Sequence, residues 1–348
     1  MNQKVQVRVR VKDQQLWSDW SKAGWLKVDP NGQPETQKKL SSGGDFTLTV
    51  KEDGTVWSWG NNGYGQLGDG TRSAKTVAVQ ASGLTSIVEV SAGSGHVLAL
   101  KSDGTVWSWG NNAQSQLGDG TTVAQNVAKV IPKLSEMISI GAVQNRSYAV
   151  KADGTLWAWG GNFGATPQPM KINGVVSVTG RYALLSDGTV WDVSSSYPTK
   201  VYSLENVVTI ADSSSSGHAL AIKRDGSVWS WGSNSYGQLG NGTTSNTSTP
   251  VKVTGLENIQ SIGAGAMHSL AVDELGQVWS WGYNGYGQLG VPGSSSVTKA
   301  VQVGNMNRGA QIVGGTNSST VLLRNGDLWS WGQGGLLGDG TTTSKGVP

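Results

Sequence analysis

One octapeptide, Asp-Gly-Thr-Val-Trp-Ser-Trp-Gly or a close variant, recurs seven times along this chain of 348 residues. Its glycine stands at Gly54, Gly104, Gly154, Gly188, Gly226, Gly276 and Gly326, in steps of 50, 50, 34, 38, 50 and 50 residues. Spacing of that size marks an array whose units are single supersecondary elements, each able to bury its apolar face only against a neighbour. The repeat therefore overrides the division into two ordinary domains that length alone would favour. Six copies carry a W-x-W pair, from Trp57 and Trp59 to Trp329 and Trp331, and the fourth keeps only Trp191. The repeat thus absorbs 13 of the 16 tryptophans.

Each unit reads as four short strands, clearest between Pro250 and Gly290: residues 250–253, 259–262, 268–272 and 278–281. A D-G-T type turn joins the last two, its glycine supplying the positive φ of a tight hairpin. Alternation in V-W-S-W puts both tryptophans of a copy on one sheet face. Seven such sheets, each needing a neighbour on that face, arrange radially as an all-β, seven-bladed β-propeller of four-stranded blades. At the C-terminus the strand matching Val251-Lys252-Val253 is missing, whereas Trp25-Leu26-Lys27-Val28 offers such a segment. Residues 25–28 are therefore expected to pair beside the last sheet and close the ring, removing two open edges.

Composition excludes other classes. The 51 glycines have no three-residue period, which excludes collagen, and no apolar run reaches the ~18 residues that suggest a transmembrane helix. The absence of cysteine removes disulfides, cysteine-ligated zinc and cysteine nucleophiles. A formal charge of +3 is a weak field, without the basic footprint of a dedicated nucleic-acid binder. The N-terminal residues lack the apolar core of a secretory signal.

The segments W-S-W-G-N-N-G-Y-G-Q-L-G-D-G-T (57–71) and S-A-G-S-G-H-V-L-A-L-K-S-D-G-T-V-W-S-W-G (91–110) closely resemble the repeat of the regulator of chromosome condensation family. The resemblance covers about residues 25–348 and implies the family's seven-bladed propeller, here in a bacterial or phage form. It also implies a possible exchange activity on the guanine nucleotide of a small GTPase, although no wedge-like insertion or long basic tail accompanies it. Copies three (W-A-W-G-G-N-F-G) and four (W-D-V-S-S-S-Y-P) lack the G-Q-L-G loop, so one sector of one face should be lowered into a notch.

Outside the ring, residues 1–24 form an expected β appendage, with the propeller over 25–348. Val5, Val7, Val9 and Val11 alternate with Gln6, Arg8, Arg10 and Lys12, the pattern of a half-buried strand. With Trp17 and Trp20 these valines are a candidate attachment strand for a partner or a second copy, by strand addition. The simpler expectation is a hairpin against the ring's side.

No catalytic constellation stands out. His96, His218 and His268 occupy one register before the hairpin turn, as a repeated structural hydrogen bond would require, with Phe46 and Ser147 or Tyr148 near the same slot elsewhere. Asp212, the serines 213–216 and His218 lack a nucleophile elbow. The D-G-T aspartates offer one carboxylate each before a glycine, which suits turns and not calcium loops. No cofactor or metal is expected. The accessible aromatics are Tyr64, Tyr236 and Tyr286, at one position of the glycine-rich loop, with Tyr283 nearby; their face is the candidate binding surface. The chain is read as a non-enzymatic interaction or structural propeller of a surface or virion assembly. A GTPase exchange factor and a carbohydrate-binding propeller are the alternatives.

Overall fold

A computed structural model of the chain describes residues 38–213 and 217–348, together with the backbone of two short strands at 5–7 and 24–26. It divides into two compact units, Met1–Gln37 and Lys38–Pro348. In the first unit Val5–Val7 pairs antiparallel with Gly24–Leu26, setting Gln6 opposite Trp25. Val9, Val11, Trp17 and Trp20 lie outside the described residues.

The second unit is a seven-bladed β-propeller. Its first blade has strand a at Leu40–Ser42, b at Phe46–Val50, c at Val56–Gly60 and d at Lys75–Gln80, each hydrogen-bonded to the next in chain order. The b strands are buried almost throughout, and the d strands form the exposed rim. The pattern repeats over 87–130, 137–169, 175–200, 207–252, 259–307 and from 309 onward. A single 3-10 turn at Gly161–Phe163 is the only helical element among the described residues.

The strands expected from the sequence exist, but their grouping differs by one place. Thr247–Lys252 is the d strand of the fifth blade, pairing with Val228–Gly232, and not the first strand of the unit that follows. The glycine-rich loop is a hairpin connection that folds the chain back beside strand c, whereas the passage from d to the next a crosses between blades. Ring closure shifts accordingly. Residues 24–26 are paired with Val5–Val7, and the place beside Leu328–Gly332 is taken by the C-terminal residues, where Lys345 bridges Gly332. The last blade closes on the first directly: Gly340 N donates to Thr76 O at 2.8 Å and Trp59 Nε1 to Leu336 O at 3.0 Å.

Cores lie between blades. Trp109 of the second blade packs with Leu48, Val56 and Leu67 of the first, and Trp281 of the sixth with Leu220 and Val228 of the fifth. The second tryptophan of each pair is 4% exposed or less, while the first is half-buried in five of the six pairs. Trp329, beside the abbreviated last d strand, is 46% exposed.

Candidate functional site

The loops after strand c build one face of the ring. In the first blade the chain reverses around Asn62, a residue with no exposed surface. Its Oδ1 accepts from Leu67 N at 3.0 Å, and its Nδ2 donates to Thr71 O and Ser73 O at 3.2 and 3.1 Å. Asn112 and Asn234 repeat these bonds, and Asn284 does so with Gly293 as acceptor. Each loop buries a leucine, Leu67, Leu117, Leu239 or Leu289. Gln66, Gln116, Gln238 and Gln288 accept the backbone N–H two residues earlier. Sequence reasoning passed over these asparagines; the signal was that W-G-x-N is followed by Q-L-G in four copies, while copy three keeps Asn162 without that loop.

Every such loop also locks the next blade. Trp109 Nε1 donates to Gln66 O at 2.8 Å, Trp159 to Gln116 O at 3.0 Å, and Trp281 and Trp331 to Gln238 O and Gln288 O at 2.8 Å. Where the loop is missing, the lock changes. The third blade has no such loop, and the fourth has Val193 where the second tryptophan would stand, its carbonyl accepting from Tyr148 Oη at 3.2 Å. The fourth blade has no loop either, and Trp231 donates instead to Tyr182 Oη at 2.9 Å, the rings meeting edge to face.

The histidines belong to the same junctions. His96, His218 and His268 contact Ser147, Ser269 and Ser319 of the following blade at 2.8, 2.9 and 2.9 Å through Nε2. Each serine donates onward to Gln116 O, Gln238 O or Gln288 O, so its oxygen accepts from the imidazole N–H. Ser147 is thus the receiver of the histidine bond and Arg146 holds the histidine slot of its blade. Burial pushes His96 and His218 down to about 3 and His268 to about 4, so all three are neutral hydrogen-bonding groups.

The turn aspartates are similarly engaged. Asp53 Oδ1 accepts from Thr55 N and Oγ1, and Thr55 Oγ1 accepts from Trp57 Nε1 at 3.1 Å; Asp103 and Asp187 repeat the relay, as Asp225 does through Ser227. Hydrogen bonds from Thr55 hold the Asp53 carboxyl below its usual value. Asp212 and His218 are not brought together: His218 faces Ser269, whereas Asp212 lies beside Arg181, Oδ1 to Nε 3.9 Å. Burial raises Asp212 to about 7 against the pull of Arg181.

The sequence-predicted tyrosines stand on this loop face. Tyr64, Tyr236 and Tyr286 are 50%, 38% and 44% exposed, and Tyr283 is half-buried with its ring 4.8 Å from that of Tyr236. Tyr236 and Tyr283 thus form one two-ring patch across a blade junction, while Tyr64 lies over Gly95 at another.

Comparison with known proteins matches this architecture. The crystal structure of Prp20p from Saccharomyces cerevisiae, described with its binding to Gsp1p and histones, superposes with a TM-score of 0.75 at 22% identity, covering 89% of this chain and 85% of that one. Human WBSCR16 gives 0.54 at 19% identity, with 94% and 83% covered. The ectodomain of the Physcomitrella patens receptor kinase CR4 gives 0.54 at 18%, with 84% and 72% covered. The family model for the regulator of chromosome condensation (RCC1) repeat matches residues 53–100, 103–144, 225–272 and 276–322, and a second model of that repeat matches 37–66, 87–116 and 259–288. The matched segments flank the sector whose two blades lack the loop. With its repeats, its ring and these matches in agreement, the chain belongs to the regulator of chromosome condensation repeat family.

Proposed function

We propose that this chain is a non-enzymatic interaction module, a rigid ring that offers its loop face to a protein partner. The observation that carries the reading is a contrast within that face. The histidines and most turn aspartates are taken up in hydrogen bonds between or within blades, while Tyr64, Tyr236 and Tyr286 stay exposed on loops that buried asparagines hold in place. Tyrosines on a pre-organised backbone supply contact area at little entropic cost, as protein-binding surfaces favour. Residues 1–24 serve in this reading as an attachment segment for a partner or a second copy, which would suit a component of a surface or virion assembly.

The test compares full-length protein with a Tyr64→Ser/Tyr236→Ser/Tyr286→Ser variant in quantitative affinity capture. A partner retained by the first and lost by the second, at equal melting temperature, supports the reading; retention by both removes the face from it. Light-scattering mass with and without residues 1–24 tests self-association, and an unchanged mass discards that part. The likeness to Prp20p, described with its binding to Gsp1p, motivates one further arm: stimulated nucleotide release from a small GTPase would replace this reading with exchange activity.

A further inference from the structure

The notch left by the fourth blade is a cavity of about 460 Å³, lined by Arg181, Tyr182, Lys200, Gly217, Trp231 and Ser248 among others. Its origin is visible by comparing equivalent residues one junction apart. Strand pairing sets Gly110 opposite Gln125 and His96, and Gly232 opposite Thr247 and His218, so Gly95, Trp109 and Asn126 correspond to Gly217, Trp231 and Ser248. In the first junction the loop of the preceding blade covers all three. A methyl group added to Gly95 would lie 3.2 Å from the Tyr64 ring, one added to Gly68 would lie 2.9 Å from Trp109 Nε1, and Gly70 N donates to Asn126 O at 3.0 Å. The same loop-to-rim bond recurs from Gly242 to Thr298 and from Gly340 to Thr76. In the fourth blade the chain runs from Val190–Asp192 almost directly to Thr199–Lys200, and the three equivalent residues line open space. The cavity is the volume that a polypeptide loop occupies elsewhere in the ring.

Its lining carries two cations against one anion. Arg181 and Lys200 line it against one carboxylate, Asp192, whose Oδ1 already accepts from Ser194 N at 2.8 Å. Arg181 Nε stands 3.9 Å from the buried Asp212 Oδ1, too far for a hydrogen bond, and neither atom has another hydrogen-bond partner among the described residues. We propose that the notch receives a loop of a partner polypeptide carrying an aspartate or glutamate, its carboxylate set toward Arg181 and Lys200 and its backbone N–H toward Ser248 O. This rests on the protein-binding reading but assigns a surface separate from the tyrosines.

A direct probe is the head-to-tail cyclised peptide Asn-Asn-Gly-Tyr-Gly-Gln-Leu-Gly-Asp-Gly-Thr, the chain's own loop 61–71, titrated into the full-length protein by ligand-observed NMR. Cyclisation limits the ordering cost that a free peptide would carry. Saturable binding is expected, weakened about tenfold or more by Lys200→Glu, by Ser248→Arg and by replacing the peptide's aspartate with asparagine. Both protein variants lie on the rim strands, and unchanged melting curves verify their folding. Absence of binding, equal binding to both variants, or binding of galacturonate in place of the peptide would overturn the proposal. Any of these beside intact tyrosine-dependent partner capture removes the notch alone; loss of both removes the protein-binding reading as well.

Discussion

At the scale of single residues, the polar groups of this ring are spent on holding blades together, and pH should reveal it. The three histidines have folded-state pKa values of about 3 to 4, below the usual 6.5, so on unfolding below pH 6.5 each takes up a proton. Asp212 runs the other way: its value of about 7 lies above the usual 3.8, so unfolding between those values releases one proton. Three uptakes against one release predict stability falling as pH drops from about 6.5 toward 4, with a net uptake of about two protons on unfolding near pH 5. Above that window the histidine uptake fades and the net sign reverses, because Asp212 alone still loses stability as pH rises to about 7; Asp212→Asn should lack this decline. Urea midpoints measured across pH 4.5–8 check both. A second residue-level expectation concerns Asn112. Truncation to alanine strands the Leu117 N–H and the Thr121 carbonyl it serves, which should cost about 2–4 kcal/mol in urea unfolding, whereas the neighbouring half-buried Asn111, bonded only to Ala113 N among the described contacts of its side chain, should cost about 1 kcal/mol or less.

At the scale of elements, the strands and turns were legible because they depend on neighbours in sequence: alternation in V-W-S-W and a glycine after aspartate. Their grouping into blades was not, because pairing of Thr247–Lys252 with Val228–Gly232 depends on how a fourteen-residue connection folds back. The exposed tyrosines of the loop face were legible as a repeated position, while the partnership of Tyr236 with Tyr283 needed the distance between two blades. The lowered sector was also legible, from two missing loops, but its substitute lock was not, since Tyr182 and Trp231 are 49 residues apart. The loop apex permits a sharp test. Gly118 has φ +70° and an added methyl there would stand 2.8 Å from Trp159 Nε1. Gly118→Ala should therefore destabilise by more than about 1 kcal/mol in thermal or urea unfolding, by left-handed strain and by displacing the indole together. Gly83, with φ +72° and nothing nearby, should show only the strain.

At the scale of the molecule, the propeller carries its own closure through Gly340 and Thr76, and Trp59 and Leu336. A protein consisting of 38–348 is accordingly expected to keep a single cooperative unfolding transition, and a broad or biphasic urea curve would count against closure by those bonds. The position of each lock also bears on how such rings grow and shrink. Because a loop in one blade serves the indole of the next, the unit that must stay matched is the junction and not the sheet. Copies three and four fit that rule: the loss of a loop in one is matched by the loss of a tryptophan in its successor, and the next lost loop by a tyrosine that takes over as acceptor. Gene duplication or engineering that adds a blade should then copy a fifty-residue step in any frame, provided donor and acceptor halves remain matched at the two new seams.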